Sequence, residues 1–126
     1  MQEQLYEYAV IRVVPKVERE EFVNAGVILY CKRRKFLMAI CALSENKVGA
    51  LCKEMDLEQV KANLRSLERI ASGATNSGPI GQMEIAERFR WLTAIRSTVV
   101  QTSRPHPGFT SDPETTLKRL LAELVL

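Results

Sequence analysis

The residues best suited to chemistry are a histidine and several arginines, most of them near the end of the chain. His106 is the only histidine, and it lies between Pro105 and Pro107, two residues after Arg104. A histidine placed in such a loop can act as a general base or bind an anion. No catalytic partner lies beside it in the sequence, and a nucleophilic pair would need a cysteine from a distant segment. Catalytic residues therefore stay unassigned, and packing or hydrogen bonding within the loop is the favoured role.

A wider group of polar residues suggests an anion site. Arg12 lies in the middle of an apolar, strand-like segment, where its charge is not fully solvated. A buried arginine needs an anionic partner, because an unpaired internal charge is costly. Glu20 or Glu21 would make a structural ion pair, which is the preferred interpretation. Without that carboxylate the arginines would suit a phosphate or an acidic partner side chain. The candidate ligand-binding residues are Arg12, Asn24, Arg96, Ser97, Arg104 and His106, with Arg88 and Trp91 close to them in sequence.

Other ligand classes have less support. The basic run Lys32, Arg33, Arg34 and Lys35 is a weak nucleic-acid site, because few aromatic residues accompany it. A charged hairpin tip that protects a sheet edge explains the run better. No metal site is expected, since one histidine and no paired-cysteine spacing are present. No cofactor is expected either, because the glycine-rich segment 73–81 lacks the Gly-Lys-Ser/Thr ending of a phosphate loop.

Composition predicts an ordinary soluble domain. The 126 residues are 46% hydrophobic and 26% charged, with a net charge of +3, which is too mild a bias to indicate nucleic acid. The longest apolar run, residues 36–43, is too short to cross a bilayer, so no membrane association is expected. Cys31, Cys41 and Cys52 form no C-x-x-C pair and are interpreted as core residues in a reducing compartment. A cytoplasmic location follows.

Hydrophobic periodicity predicts the elements that must position these residues. Strands are expected at residues 5–14, 23–31, 36–43 and 97–102. Helices are expected at 44–55, 56–73 and 82–95 and from Asp112 onward, with a loop at 103–111. The order predicts an α+β fold, with an antiparallel-rich sheet of about four strands and three to four helices. One domain, residues 1–126, would comprise a three-strand part (1–43), a helical part (44–95) and a final strand and helix (96–126).

Five segments carry a family resemblance. They are YAVIRVVP at 8–15, EEFVNAGVILY at 20–30, ERFRWL at 87–92, RSTVVQ at 96–101 and RPH at 104–106. With these segments the chain resembles a small bacterial domain-of-unknown-function family, numbered 3037. The resemblance implies a cytosolic, single-domain bacterial protein without an assigned reaction, and a HipA-like kinase as a frequent genomic neighbour.

The leading hypothesis is therefore a non-catalytic interaction or regulatory module, with a HipA-like kinase as the candidate protein partner. The interpretation leans against an enzyme and leaves the question open. An alternative from another class is a phosphate-ligand binding protein or enzyme built on the Arg, Ser and His residues above. Nucleic-acid binding through the basic run is a weaker alternative. Homo-oligomerisation also stays open, because strands that are apolar on both faces need cover from helices or from a second subunit.

Overall fold

The computed structural model describes residues 2–94 and 98–126 and confirms the predicted α+β class. The strands within the described residues are β1 (Gln4–Val13), β2 (Val23–Cys31), β3 (Phe36–Cys41), β4 (Val100–Thr102) and β5 (His106–Thr110). The helices are α1 (Glu45–Leu51), α2 (Leu57–Ser72), α3 (Gly78–Gly81), α4 (Ile85–Leu92) and α5 (Pro113–Leu124), with a short 3₁₀ helix at Val17–Arg19. None of these helices is long and apolar enough to cross a membrane.

The strands form one antiparallel sheet with β1 at its centre. The order is β3-β2-β1-β4, and β5 also pairs with β1. Because Glu7 and Tyr8 pair with β2 and also with β5, β5 must occupy the same edge of β1 as β4. Ser103 fills the break between β4 and β5. Its backbone N–H donates to the Val10 carbonyl at 2.8 Å, and its hydroxyl accepts from the Val10 N–H at 2.9 Å.

The strand β5 differs from the loop expected at residues 103–111. Pro105, Pro107 and Gly108 all favour loops, yet residues 106–110 pair with β1. Proline cannot donate to a ladder and is tolerated where one side of the strand has no partner. Helix α1 ends earlier than predicted. Helix α4 is shorter than the predicted helix 82–95, and Ile95 of that prediction lies outside the described residues. The strand predicted at 97–102 begins at Val100 within the described part.

A bulge in β2 lets one chain fill both faces of the sheet. Ile11 pairs with Gly26 whereas Arg12 pairs with Asn24, so Ala25 is the extra residue. The alternation of buried side chains consequently changes phase along the strand. One core cluster lies under α1, α2 and α4, and its β2 members are Val23, Ala25 and Ile28. The other lies under α5, and its β2 members are Val27, Leu29 and Cys31.

The predicted helix starts are supported by side-chain caps. The Gln59 N–H donates to Asp56 Oδ1 at 3.1 Å at the start of α2, and α2 ends at Gly73 in the left-handed conformation, with φ of 72°. Asp112 caps α5 in the same manner. Hydrogen bonds from the Thr115 side chain and backbone hold the pKa of the Asp112 carboxyl below its ordinary value. These caps fix the starts of α2 and α5, whereas Glu84 at the start of α4 makes no side-chain cap hydrogen bond.

Candidate binding site

The described cysteines do not form a catalytic set with the histidine. Cys41 lies at the end of β3, where its backbone N–H donates to Glu68 Oε2 at 3.0 Å and its thiol faces the Leu64 carbonyl at 3.9 Å. Burial, with a further contribution from the Glu68 carboxylate, raises the pKa of the Cys41 thiol from 9.0 to about 12. The thiolate is the nucleophile, so this cysteine is held in its inert form. Cys31 is fully buried, and Cys52 is half-buried.

The Cys41 environment makes a labelling prediction. At pH 8 we expect iodoacetamide to modify Cys52 far faster than Cys41, because a pKa of about 12 leaves Cys41 about a thousandfold less thiolate than a thiol of pKa 9. Mass spectrometry of the labelled peptides measures both rates. A Glu68→Gln variant should speed Cys41 labelling, and equal rates in the unmodified protein would contradict the assignment.

The raised pKa of Cys41 also makes stability depend on pH. Because the pKa of this thiol is higher in the folded than in the unfolded protein, its contribution to the free energy of unfolding is present in full below pH 9 and is lost between about pH 9 and 12.

Metal ligands do not cluster in the described part of the chain. No group of three or more His, Cys, Asp or Glu side chains there is arranged to hold a metal ion. Near the 3₁₀ helix, Glu21 pairs with Arg19 at 2.8 Å on the surface.

A concavity lies between α4 and the sheet, where β1 begins and β2 ends. It has a volume of about 330 Å³ and is called the α4 pocket. Its lining residues are Leu5, Tyr6, Glu7, Tyr30, Lys32, Ala86, Phe89, Arg90, Thr93 and Pro105. The sheet supplies one wall because Glu7 and Tyr30 are cross-strand neighbours. Helix α4 supplies the other wall, because residues spaced three or four apart share one face of a helix.

The α4 pocket has an apolar floor and a charged rim. Phe89 is buried, and its ring centroid lies 5.1 Å from that of the half-buried Tyr30. Glu7, Lys32 and Arg90 are exposed at the mouth. Among residues 2–94 and 98–126 these three side chains make no ion pair, although five other ion pairs are present. The rim thus carries two unpaired cations and one unpaired carboxylate.

An exposed apolar pair adjoins the α4 pocket. Leu5 on β1 is directly opposite Phe109 on β5, and the two residues are 53% and 67% exposed. Leu5 also lines a neighbouring depression of about 390 Å³, together with Lys32, Arg33 and the N-terminal residues Gln2, Glu3 and Gln4. Leu5, Phe109 and the basic residues Lys32, Arg33 and Arg90 are together called the docking surface. A contiguous apolar patch bordered by charge is typical of protein interaction sites.

Two of the predicted ligand-binding residues lie side by side on the face of the sheet opposite the α4 pocket. Arg12 and Asn24 are cross-strand partners, and the Arg12 guanidinium lies 4.2 Å above the centre of the Phe22 ring. The Asn24 amide donates to the Leu124 carbonyl at 3.0 Å. Arg12 is half-buried and has no carboxylate within ion-pair distance among the described residues, so neither Glu20 nor Glu21 is its partner. Arg12 Nε and Asn24 Oδ1 are both buried, and neither atom has a hydrogen-bond partner among the residues that the structure describes.

Of the other predicted ligand-binding residues, the structure describes His106 and Arg104. His106 is exposed and lies beside Tyr8, with ring centroids 5.3 Å apart. It is about 13 Å from Arg12, because Tyr8 precedes Arg12 by four strand residues at roughly 3.3 Å each. Arg104 is exposed in the segment between β4 and β5. Arg96 and Ser97 lie outside the described residues, so the proposed cleft of all six residues stays a prediction.

Two further arginines have structural contacts. Arg88 donates to the Met83 carbonyl at 2.7 Å and packs against Gly73 at the end of α2. Its positive charge there complements the negative end of the helix dipole. Arg34 in the basic run donates to the Ser111 carbonyl, which ties the β2–β3 hairpin tip to the start of α5. The tip itself forms as predicted, closed by the Lys35 N–H donating to the Lys32 carbonyl at 3.1 Å.

Sequence reasoning assigned no joint role to the α4 pocket residues. Lys32 was placed in the hairpin tip, and Tyr30 and Arg90 were noted only within longer segments. A signal was present, since Tyr30, Arg90 and Pro105 each belong to a different segment that carries the family resemblance. The contacts that unite them require knowledge of the register between β1 and β5 and of the position of α4.

Comparison with known proteins gives one match. Residues 8–125 match the model of the family described as "Protein of unknown function (DUF3037)". No curated protein and no solved structure matches the chain. The match spans nearly all of the chain and includes the α4 pocket residues from Tyr30 to Pro105, whereas Leu5, Tyr6 and Glu7 precede it.

Proposed function

The chain belongs to the DUF3037 family of unknown function, and we propose that it is a non-catalytic interaction module that binds a protein partner through the docking surface. The observation that carries this proposal is the exposure of Leu5 and Phe109, which are paired across β1 and β5. Large apolar side chains that are exposed side by side favour burial against another protein. Aromatic anchors of this kind dominate the energetics of many interfaces.

The charges around the apolar pair support a partner with acidic groups. The hairpin tip carries four consecutive basic residues, 32–35, and Arg90 lies across the α4 pocket from Lys32. The nearby carboxylates are Glu3 and Glu7. Complementary charge at an interface rim speeds association and excludes wrong partners more than it adds affinity. The partner proposed here presents an apolar ridge flanked by aspartate or glutamate residues.

The family resemblance suggests a HipA-like kinase as this partner, in a bacterial cytoplasm. The test is coexpression of the tagged chain with a HipA-like kinase from the same organism, followed by copurification at two salt concentrations. A stoichiometric complex that depends on Leu5 and Phe109 supports the proposal. A kinase that elutes separately at both salt concentrations removes the kinase as partner, and recovery of a second copy of this chain points to a homo-oligomer.

A second candidate function is the binding of a phosphate-containing ligand at Arg12. The supporting observation is that this half-buried guanidinium lacks a carboxylate among the described residues and is held by the Phe22 ring. A guanidinium restricted in this way presents its remaining nitrogens to solvent in a fixed orientation, which suits phosphate oxygens. Asn24, Arg104, His106 and the undescribed Arg96 and Ser97 complete the predicted set.

This second function makes its own prediction. Inorganic phosphate should raise the melting temperature of the protein, and Arg12→Met should abolish that increase because it retains the apolar stem without the charge. Thermal unfolding with phosphate and chloride at equal ionic strength measures the effect. Arg104→Met tests whether Arg104 shares the ligand, in which case this variant also lowers the increase. A phosphate effect that is unchanged in Arg12→Met would contradict the site.

Nucleic-acid binding through residues 32–35 stays the weaker alternative, since Arg34 has a structural role.

A further inference from the structure

We propose that the α4 pocket binds an organic carboxylate, a single carboxylate group carried on an apolar body. This inference goes beyond the proposed function, because it needs no protein partner, although the α4 pocket shares Leu5, Lys32 and Arg90 with the docking surface. The inference stands on three features, which are the apolar floor of the cavity, the two unpaired cations at its mouth and the net charge of its rim.

The floor of the α4 pocket suits an apolar body. Tyr30 and Phe89 pack against each other at 5.1 Å, and Ala86 lies one helical turn before Phe89 on α4. A volume of about 330 Å³ is near the lower end of the range for small-molecule sites. A phenyl ring with a short aliphatic chain fills such a space. Apolar contact with this floor supplies affinity, and the polar groups at the mouth supply orientation.

The mouth of the α4 pocket supplies donors for one carboxylate. Lys32 lines it from the hairpin tip after β2, and Arg90 lines it from α4. Neither cation has an ion-pair or hydrogen-bond partner within the described residues, and the same holds for the Tyr30 hydroxyl. The guanidinium fork of arginine matches the two oxygens of a carboxylate. An ammonium opposite it adds a point charge that tolerates different ligand lengths.

The net charge of the rim selects a monoanion. Lys32 and Arg90 contribute two positive charges and Glu7 contributes one negative charge, so the mouth carries +1 before a ligand binds. A carboxylate neutralises this charge. A dianionic phosphate ester would leave an excess negative charge beside Glu7, which raises the cost of binding. The Glu7 carboxylate therefore disfavours phosphate esters relative to carboxylates at this site.

The test is an NMR titration of the full chain with 4-phenylbutyrate, using 4-phenylbutyramide as the neutral control. We expect saturable shifts of the backbone amides of Tyr30, Ala86 and Thr93 with the acid and much weaker shifts with the amide. Arg90→Gln and Lys32→Gln should each weaken binding about fivefold. The effect is modest because solvent screening at the exposed rim reduces the free energy of a hydrogen bond between charged groups. The matched control Arg33→Gln removes a neighbouring positive charge outside the α4 pocket and should leave the affinity nearly unchanged.

The Glu7→Gln variant gives a result of opposite sign. Removing the negative charge from the rim should tighten 4-phenylbutyrate binding and should tighten phenyl phosphate binding even more. Equal binding of acid and amide, shifts that lie outside the lining residues, or tighter binding of phenyl phosphate than of 4-phenylbutyrate by the unmodified protein would overturn the inference.

The source of the carboxylate is settled by competition, once a partner complex is in hand. If 4-phenylbutyrate displaces the partner, the pocket accepts an acidic residue of that partner, and if both bind together, the ligand is a free organic acid. Loss of the complex in a Phe109 variant that still binds 4-phenylbutyrate separates the two proposals. A failure to bind 4-phenylbutyrate leaves the interaction module to stand or fall on its own test.

Discussion

Replacing Gly26 by alanine is expected to lower the free energy of unfolding by about 3 kcal/mol, the upper part of the range for overpacking. A Cβ atom at position 26 would lie 2.6 Å from the Ile40 carbonyl oxygen and 3.0 Å from Cys41 Cα. Both atoms belong to the backbone of β3, which pairs with β2 directly at Gly26 and Cys41. Relief of the clash would therefore require the two strands to separate or shift register.

The Gly26 prediction has a matched control within the same chain. Gly49 lies in α1, and a Cβ atom there would meet nothing within 4 Å. Gly49→Ala should stabilise the protein by roughly 0.5 to 1 kcal/mol, because alanine loses less backbone freedom on folding and favours a helix. Urea unfolding followed by circular dichroism measures both variants. If both variants changed the free energy of unfolding by the same amount and in the same direction, the close approach of β2 and β3 at Gly26 would not govern stability.

Substituting both Leu5 and Phe109 by threonine is expected to weaken partner binding at least about a hundredfold. Each residue is a large exposed apolar side chain on the docking surface, and hot-spot residues contribute about 2 kcal/mol or more when truncated. Threonine retains the strand preference of the positions, so the sheet should be preserved. Isothermal titration calorimetry with the copurified partner measures the change in affinity.

The control for this double variant removes apolar surface elsewhere. Leu126 is 74% exposed and follows α5 at the end of the chain, outside the docking surface. Leu126→Thr should leave the affinity unchanged, and all three substitutions should alter stability by no more than about 0.5 kcal/mol, as surface changes usually do. Equal loss of binding in Leu126→Thr and in the double variant would locate the interface away from β1 and β5.

Much of the fold was predictable because its signals are local. The boundaries of β2 follow from its apolar run, and the starts of α2 and α5 follow from Asp56 and Asp112, whose caps form as predicted. Strand β5 was not predictable, because proline and glycine at 105–108 are loop signals that only the tertiary position overrides. The β2 bulge and its effect on the two core clusters depend on the pairing with β1, which is not visible in the local sequence.

The candidate site was less predictable than the fold, because its parts come from distant segments. The partial burial of Arg12 was inferred from its place in an apolar strand, and its cross-strand contact with Asn24 depends on register. The α4 pocket unites residues of β1, β2 and α4, which no local pattern connects. The exposure of Leu5 and Phe109 was likewise not predictable, because hydrophobic periodicity does not show where a helix is placed on the sheet.

Hydrogen exchange of this chain, with and without its copurified partner, shows whether the docking surface is buried in the complex. Binding through the docking surface predicts slower exchange in two paired segments, Gln4–Tyr8 of β1 and His106–Thr110 of β5, and at the β2–β3 hairpin tip. Exchange in α5, which covers the other face of the sheet, should not change. Protection confined to α5 or to the surroundings of Arg12 and Phe22, with exchange at β5 unaltered, would contradict the account.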